Sequence, residues 1–592
     1  MTELAEPHIA ERERRGAPFS AAQKEYLQGY AAGLNAAAIV PSTTTEKPRP
    51  AAATDTPPTW FNTPLDDLCR EERLKIEADP LGIWSRMVRM AERNEPPQDG
   101  DIFRYKYHGL FWVAPVQQSF MVRVRIPGNL LRADQMRALA QMAAELGDAK
   151  ADITTRGAIQ VRGIAPRDSI EVLKRLAECG LSAQGAGADN IRNITNSPTA
   201  GIDRQELIDT RALARDLQFH LNHHRELFGL PRKFNIAFDG GGRVGNASDT
   251  NDIGFVATSI GADPGAAPVF RVLLAGITGH RRFAADCGVV VAPSDAVEVA
   301  AAMAATYAEH GDRTNRKTAR LCYLLDRIGV ERFLELTETK LGRPLTRLAA
   351  ERCTPRGPVD KRGHLGLHAQ KQAGRHYAGL VLPVGRIGVG QMRAIAALAD
   401  EFSAGEIRLT IWQNALLPNL ETHRLAAFDA ALATHVLSVD ARGLAGALVA
   451  CTGNTGCRFA EADTKRDALA IHASLNGRYT LEHPINIHLT GCPHSCAQHY
   501  IGDIGLLGAQ MATVEGTPAI EGYHVYVGGG ADDEQGLGRE LARSVPTTAI
   551  NGLIERLIDG YLRERDEAET FAAFARRLPI EALQRLVGIA PR

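Results

Sequence analysis

The sequence predicts an α+β fold made by internal duplication: two strand–helix–strand units and two larger mixed α/β units, related by a pseudo-two-fold repeat. Self-similarity carries this reading. QMRALAQMAAEL at 135–146 recurs as QMRAIAALADEF at 391–402, an offset of 256 residues. FNIAFDG at 234–240 recurs as INIHLTG at 485–491, and NDIGFVA at 251–257 as GDIGLLG at 502–508, both at an offset of 251. FRVLLAG at 270–276 and YHVYVGG at 523–529 follow in the same order. Strand and helix signals are mixed within each unit. No GxGxxG opens a helix behind a strand and no GxxxxGK[ST] occurs, so a doubly wound parallel sheet is disfavoured.

In chain order, residues 1–58 read as an extension, with a helix over about 20–38 and a Pro-, Thr- and Ala-rich linker after it. The four units follow at 59–184, 185–350, 366–438 and 439–592, small and large alternating. In the first unit Phe120–Ile126 alternates, so Arg123 and Arg125 share one strand face and Val122, Val124 and Ile126 the other. The helix at 135–146 aligns Met136, Leu139, Ala140, Ala143 and Leu146, which map onto Met392, Ile395, Ala396, Ala399 and Phe402. The strand after it carries Arg156, Gln160 and Arg162 at alternate positions. In the larger units, Gly240–Gly242 and Gly528–Gly530 read as tight turns after strands rather than as phosphate loops.

Composition narrows the function classes. The chain has 592 residues, with 68 Lys+Arg against 69 Asp+Glu, so no general basic footprint for nucleic acid exists. No apolar run reaches the roughly 18 residues of a membrane span. The opening MTELAEPHIAERERRG is too charged for a signal peptide. Nine unevenly spaced cysteines do not form a disulfide framework, so a reducing cytoplasm is expected.

The two copies diverge where chemistry is expected. At offset 256, Arg123 and Arg125 become Gly379 and Val381, and Arg156, Gln160 and Arg162 become Trp412, Leu416 and Pro418. Arg192, Arg232, Lys233, Arg316 and Arg320 extend the first copy's basic set. Inward-facing arginines call for a multiply charged anion, because unpaired buried charge is costly. The second copy instead carries Cys451-x5-Cys457 and Cys492-x3-Cys496, while the other five cysteines are scattered. Four thiols suit either a tetrahedral zinc or an iron–sulfur cluster. The CxxxC pair in a large domain, without short zinc knuckles, suits the cluster better.

CTGNTGC at 451–457 and TGCPHSC at 490–496, with ADITTR at 151–156, DNIRN at 189–193 and LPRKFN at 230–235, resemble the sirohaem- and [4Fe–4S]-dependent nitrite and sulfite reductases. The resemblance covers about residues 60–590 and lies nearest the family's ferredoxin-dependent, nitrite-reducing branch. It implies two ferredoxin-like half-domains and two larger sirohaem/Fe–S-type domains. Cys451, Cys457, Cys492 and Cys496 would hold a [4Fe–4S] cluster, with Cys496 also bridging to the sirohaem iron. Arg156, Gln160, Arg162, Arg232 and Arg320 would contact the carboxylates of sirohaem. Arg123, Arg192, Lys233 and Asn235 would face the substrate, with Lys233 a proton donor whose pKa neighbouring arginines lower. Gly157 departs from the family, which usually has Gln or Asn after TTR, and a glycine there is expected to leave Arg156 less constrained.

The resemblance thus implies reduction of nitrite to ammonia by a cytoplasmic monomer. No nucleotide-binding fingerprint is present, so electrons would come from reduced ferredoxin or a similar small protein. Sulfite reduction on the same cofactors is the alternative. Neutral Asn235, where sulfite reductases typically carry Lys, favours the nitrite monoanion. A related enzyme of cobalamin synthesis is usually shorter. A non-catalytic iron–sulfur or zinc scaffold is the reading from another class.

Overall fold

The computed structural model describes residues 58–261, 267–475, 477–511 and 519–590. The helix and linker expected before Pro58 lie outside them. Among the described residues, no helix is long and apolar enough to cross a membrane.

The first small unit runs β1 (Leu110–Val113), β2 (Ser119–Val124), β3 (Leu130–Arg132), α1 (Ala133–Leu146), β4 (Lys150–Ile153) and β5 (Ile159–Ile164). The first large unit contributes β6 (Thr195–Asn196), β7 (Ile236–Asp239), β8 (Ile253–Thr258), β9 (Val269–Leu274), β10 (Ala285–Val291) and β11 (Thr346–Arg347). The second copy repeats the plan. Its small unit has β12 (Gly366–Ala369), β13 (Arg375–Leu380), β14 (Arg386–Gly388), α2 (Val389–Phe402), β15 (Glu406–Leu409) and β16 (Ala415–Glu421). Its large unit has β17 (Leu448–Ala450), β18 (Ile487–Thr490), β19 (Ile504–Met511), β20 (Ile520–Val527) and β21 (Arg539–Pro546).

The duplication holds to the level of single hydrogen bonds. The Arg132 and Gly388 amides, at the starts of α1 and α2, donate to Gln135 and Gln391 at 3.1 Å each. Gly128 and Val384 both have positive φ (67° and 52°), as do Gly157 and Gln413 (54° and 62°). Each of these pairs is 256 apart. The two small units also exchange strands. β3 joins the second sheet beside β15, with Arg132 opposite Glu406, and β14 joins the first beside β4, with Gly388 opposite Lys150. Shifting either register by 256 generates the other. The apolar faces of α1 and α2 meet in one core, where Leu139, Ala140, Ile395 and Ala396 are buried.

The large units correspond equally well. Ile253 lies opposite Ile236 and Ile504 opposite Ile487 in parallel pairs, 251 apart. The Asn235 and Asn486 amides donate to Asp252 and Asp503, at 2.8 Å in both cases. Each unit has its own core, around Phe238, Phe255 and Phe270 in the first and Ile487, Leu506 and Ile554 in the second. The Gly240–Gly242 segment is a turn, as expected: the Arg243 amide behind it donates to Asp203 at 2.8 Å.

Two symmetry-related contacts join the large units. Arg281 lies over Tyr500, 5.1 Å from its ring centroid, and the Asp532 amide donates to Asp249 at 3.1 Å, each partner shifted by 251. Burial pushes both carboxyls above the ordinary range; Asp249 raises Asp532 further, and Asp239 adds to both. The native state therefore binds protons more tightly than the unfolded chain. The pair's contribution to stability is complete below the ordinary carboxylate pKa, near about 4, and is lost as pH rises through the raised values. Asp532→Asn keeps a residue that tolerates the positive φ of 55° there. This variant is expected to show a smaller fall in Tm between mildly acidic and mildly basic pH than wild type. An equal fall in both proteins would remove the pair from the pH dependence.

Candidate active site

The cationic sheet face expected from the sequence is present and lies against the cysteine loops of the second copy. Antiparallel pairing sets Arg123 opposite Gln160 and Gln160 opposite Asp152, so β2, β5 and β4 present them on one face. From that sheet, Arg162 donates to Thr452 Oγ1 at 2.8 Å and to the Gly456 carbonyl at 3.3 Å. Gln117 donates to the Thr455 carbonyl at 3.0 Å, and the Thr155 hydroxyl to the Cys496 carbonyl at 2.9 Å.

Cys451 directly follows β17 and Cys492 lies two residues beyond β18. These strands are parallel neighbours, with Ala450 opposite Leu489, so both loops open at the same sheet end. The Gly491 amide donates to Cys451 Sγ at 3.2 Å. Burial pushes the Cys492 thiol up to about 12, and Cys496, Cys457 and Cys451 add to the shift. Burial and then Cys496 raise Cys451. The four sulfurs are thus within Coulombic range of one another, and as thiolates they require a strongly cationic centre among them. A single tetrahedral zinc would draw its sulfurs to roughly 3.8 Å separations. Among the described residues, no three His, Cys, Asp or Glu side chains converge on one ion position. Four cysteine thiols at the ends of two neighbouring parallel strands are a donor set that fits an iron–sulfur cluster.

The structure divides the basic set that sequence reasoning treated as one unpaired group. Arg320 is doubly bonded to Asp252, at 3.2 and 2.7 Å, and Arg316 to Asp189, at 2.8 Å twice. Arg232 is 3.9 Å from Asp189 and Arg162 is 3.6 Å from Asp152. Arg125 turns to the carbonyls of Ile191 and Arg192. Arg156 donates to the Asn193 carbonyl at 2.8 Å and to Asn251 Oδ1 at 2.8 Å. The looseness expected from Gly157 is not found. Its φ of +54° brings it so close to Asn129 that a Cβ would lie 1.9 Å from Nδ2. That nitrogen donates to the Arg156 and Gly157 carbonyls at 2.8 and 2.9 Å and fixes the turn.

Arg123, Arg192 and Lys233 make no ion pair among the described residues. Arg123 donates to the Ala186 carbonyl at 3.4 Å, and Arg192 to those of Ala186 and Ala188 at 2.9 and 2.8 Å. Among the described residues the buried Nε of Arg192 has no partner. Burial pushes Arg123 down to about 10 and, first among several causes, Lys233 down to about 7; Arg320, Arg192 and Arg232 add to the Lys233 shift. The sequence credited the arginines alone with this effect. The Cys496 thiol opposes both shifts, so Arg123 and Lys233 share its surroundings. Asn235 is half-buried two residues beyond Lys233, on the same side of the extended segment. Desolvated cations and an orphaned guanidinium nitrogen are a setting that a polycarboxylate group and an anionic substrate would satisfy.

Sequence reasoning missed the acids that brace this face. Asp189 forms an ion pair with Lys75 at 3.1 Å and accepts from Arg316, and Glu72 accepts from Arg313 at 2.6 Å. Asp152 pairs with Lys465 at 3.2 Å and Arg386 at 3.1 Å. Glu72 and Lys75 lie in the charged stretch REERLKIE, whose composition carries no sign of their burial, and Asp189 was visible only as part of DNIRN.

The fold sets four cysteines beside a cationic sheet face, and the chain belongs to the nitrite and sulphite reductase family. The nitrite and sulphite reductase 4Fe-4S domain matches residues 187–345 and 445–590, and the nitrite/sulfite reductase ferredoxin-like half domain matches 115–179 and 368–435. The chain is 35% identical over 503 residues to a ferredoxin–nitrite reductase of Synechococcus elongatus, covering 83% of this chain and 96% of that one. It is 30% identical to an assimilatory ferredoxin-dependent nitrite reductase of Haloferax mediterranei, covering 81% and 85%. The NirA protein of Mycobacterium tuberculosis superposes with a TM-score of 0.79 at 26% identity, covering 87% of this chain and 97% of that one.

Proposed function

We propose that this chain is an assimilatory nitrite reductase, which takes nitrite to ammonium with six electrons delivered singly by reduced ferredoxin or a similar protein. The seating of the cysteine loops on the sheet face that carries Arg123, with Arg123, Arg192 and Lys233 all lacking an ion-pair partner among the described residues, carries this reading. The names of the relatives support it.

Cys451, Cys457, Cys492 and Cys496 would hold the [4Fe–4S] cluster, and Cys496 would also ligate sirohaem. Bound there, these groups would supply the electron relay and the iron at which nitrogen is reduced. Arg156, Gln160, Arg162, Arg232 and Arg320 are assigned to the haem carboxylates; each guanidinium has five N–H donors, more than its internal partners use. Arg162 also braces the 451–457 loop through Thr452 and Gly456, while its Nε, 3.6 Å from Asp152, makes no hydrogen bond among the described residues.

Arg123 and Arg192 bind the anion and stabilise charge on its oxygens. The conversion of nitrite to ammonium and two waters consumes eight protons. Lys233, with its ammonium poised near neutrality, can release one from Nζ and regain it. Asn235 keeps the pocket at three cations, which suits a monoanion better than a dianion.

Steady-state kinetics on nitrite and sulfite in parallel, with reduced methyl viologen, tests the reading. A higher kcat/KM for nitrite is expected. Preference for sulfite would move the chain to sulfite reduction, and no turnover of either by fully loaded protein would leave a scaffold. Asn235→Lys is expected to shift the ratio toward sulfite by about one to two orders of magnitude. A charge pair at about 4 Å is worth roughly 4 kcal/mol at an effective dielectric of about 20, and desolvation of the new lysine offsets much of it. An unchanged ratio would show that position 235 does not face substrate.

A further inference from the structure

We infer that Phe111, on β1, is a positioning residue that fixes the guanidinium of Arg123 for substrate. The inference rests on the proposed role of Arg123. Antiparallel pairing sets Phe111 opposite Met121, so Arg123 is its diagonal neighbour on the same sheet face. The guanidinium carbon lies 4.6 Å from the ring centroid, well inside cation–π range.

Arg123 needs such a support more than Arg192 does. Arg192 has two short bonds to carbonyls, at 2.9 and 2.8 Å. The side chain of Arg123 has a single long one, at 3.4 Å to Ala186, and makes no ion pair among the described residues. Both arginines share that Ala186 carbonyl, so the ring is what distinguishes how Arg123 is held. A π face holds a cation without using its N–H groups, which stay available to an oxyanion. A carboxylate in the same place would occupy those donors and cancel the charge.

The loop beside the ring is shaped to admit it. A Cβ on Gly187 would lie 2.6 Å from Phe111 Cζ and 2.5 Å from the Lys106 carbonyl. Glycine leaves room for the ring where it lies, and the next carbonyl pair, from Ala186 and Ala188, receives the arginines.

The test is the nitrite dissociation constant of the holoenzyme, read by optical titration, beside kcat. Phe111→Leu keeps apolar bulk but removes the π face. It is expected to weaken nitrite binding by about five- to thirtyfold, with a smaller change in kcat at saturation. Phe111→Tyr, which keeps the face, should restore tight binding. Gly187→Ala should reproduce the Phe111→Leu defect by displacing the ring, and so serves if Phe111→Leu folds poorly. In an Arg123→Leu background, Phe111→Leu should add nothing. If Arg123→Leu weakens nitrite but Phe111→Leu and Gly187→Ala do not, the inference fails alone. If Arg123→Leu binds nitrite like wild type, the proposed role of Arg123 fails and takes the inference with it.

Discussion

Cys496→Ser is expected to leave the protein without its cluster and without turnover. Cys496 is the exposed member of the four thiols, and its electrostatic reach extends to Arg123 and Lys233. Its loss would remove a cluster ligand and the link to the haem together. Even partners outside a metal's ligand shell typically cost 10- to 100-fold in affinity or activity, so losing a ligand should cost more than about 100-fold. Iron and acid-labile sulfide per chain should fall together, and the reduced protein should lose its cluster resonance. Cys451→Ser should behave alike. Cys69→Ser is the control: Cys69 precedes the helix Arg70–Glu77 and its side chain makes no capping bond. Wild-type iron content and rate in either cluster variant would overturn the ligand assignment.

Lys233→Met should lower kcat/KM by about 10²- to 10⁴-fold, the usual range for a positioned proton donor. The sign of the pH dependence follows from its lowered pKa of about 7. Below that value the ammonium carries its proton and can act as an acid. Above it the amine is neutral, and both its proton and its attraction for nitrite are lost. Wild-type kcat/KM should therefore fall as pH rises through about 7, and the variant's profile should lose that limb. A wild-type profile that is flat across neutrality, or a variant retaining the same limb, would exclude Lys233 as the donor.

The duplication was legible because it is written in apolar spacing. Met136, Leu139 and Ala140 face one core with Met392, Ile395 and Ala396, and side chains buried in equivalent places keep equivalent character. The cysteine loops were legible because thiols are rare and their spacing is specific. Charge was harder to read. Arg320 and Arg123 look alike in a sequence, yet one faces Asp252, 68 residues away, and the other an aromatic ring. How much of an arginine is spent inside the protein, and how much is left for a ligand, depends on partners that only the fold brings near. The tight hold on Arg156 was hidden for the same reason, since Asn129 reaches it from 27 residues back.

The reciprocal exchange of β3 and β14 bears on how the molecule can be divided. Each half of the chain, taken alone, would carry a sheet of four strands with one edge open, and would hold the strand that completes the other's sheet. The registers at the two edges are equivalent, Arg132 with Glu406 and Gly388 with Lys150, so each half is both donor and acceptor of the same kind of strand. A chain cut between the copies should therefore reassemble from its separately made fragments by mutual strand addition. Either fragment alone would be left with an adhesive edge, prone to pairing with its own kind.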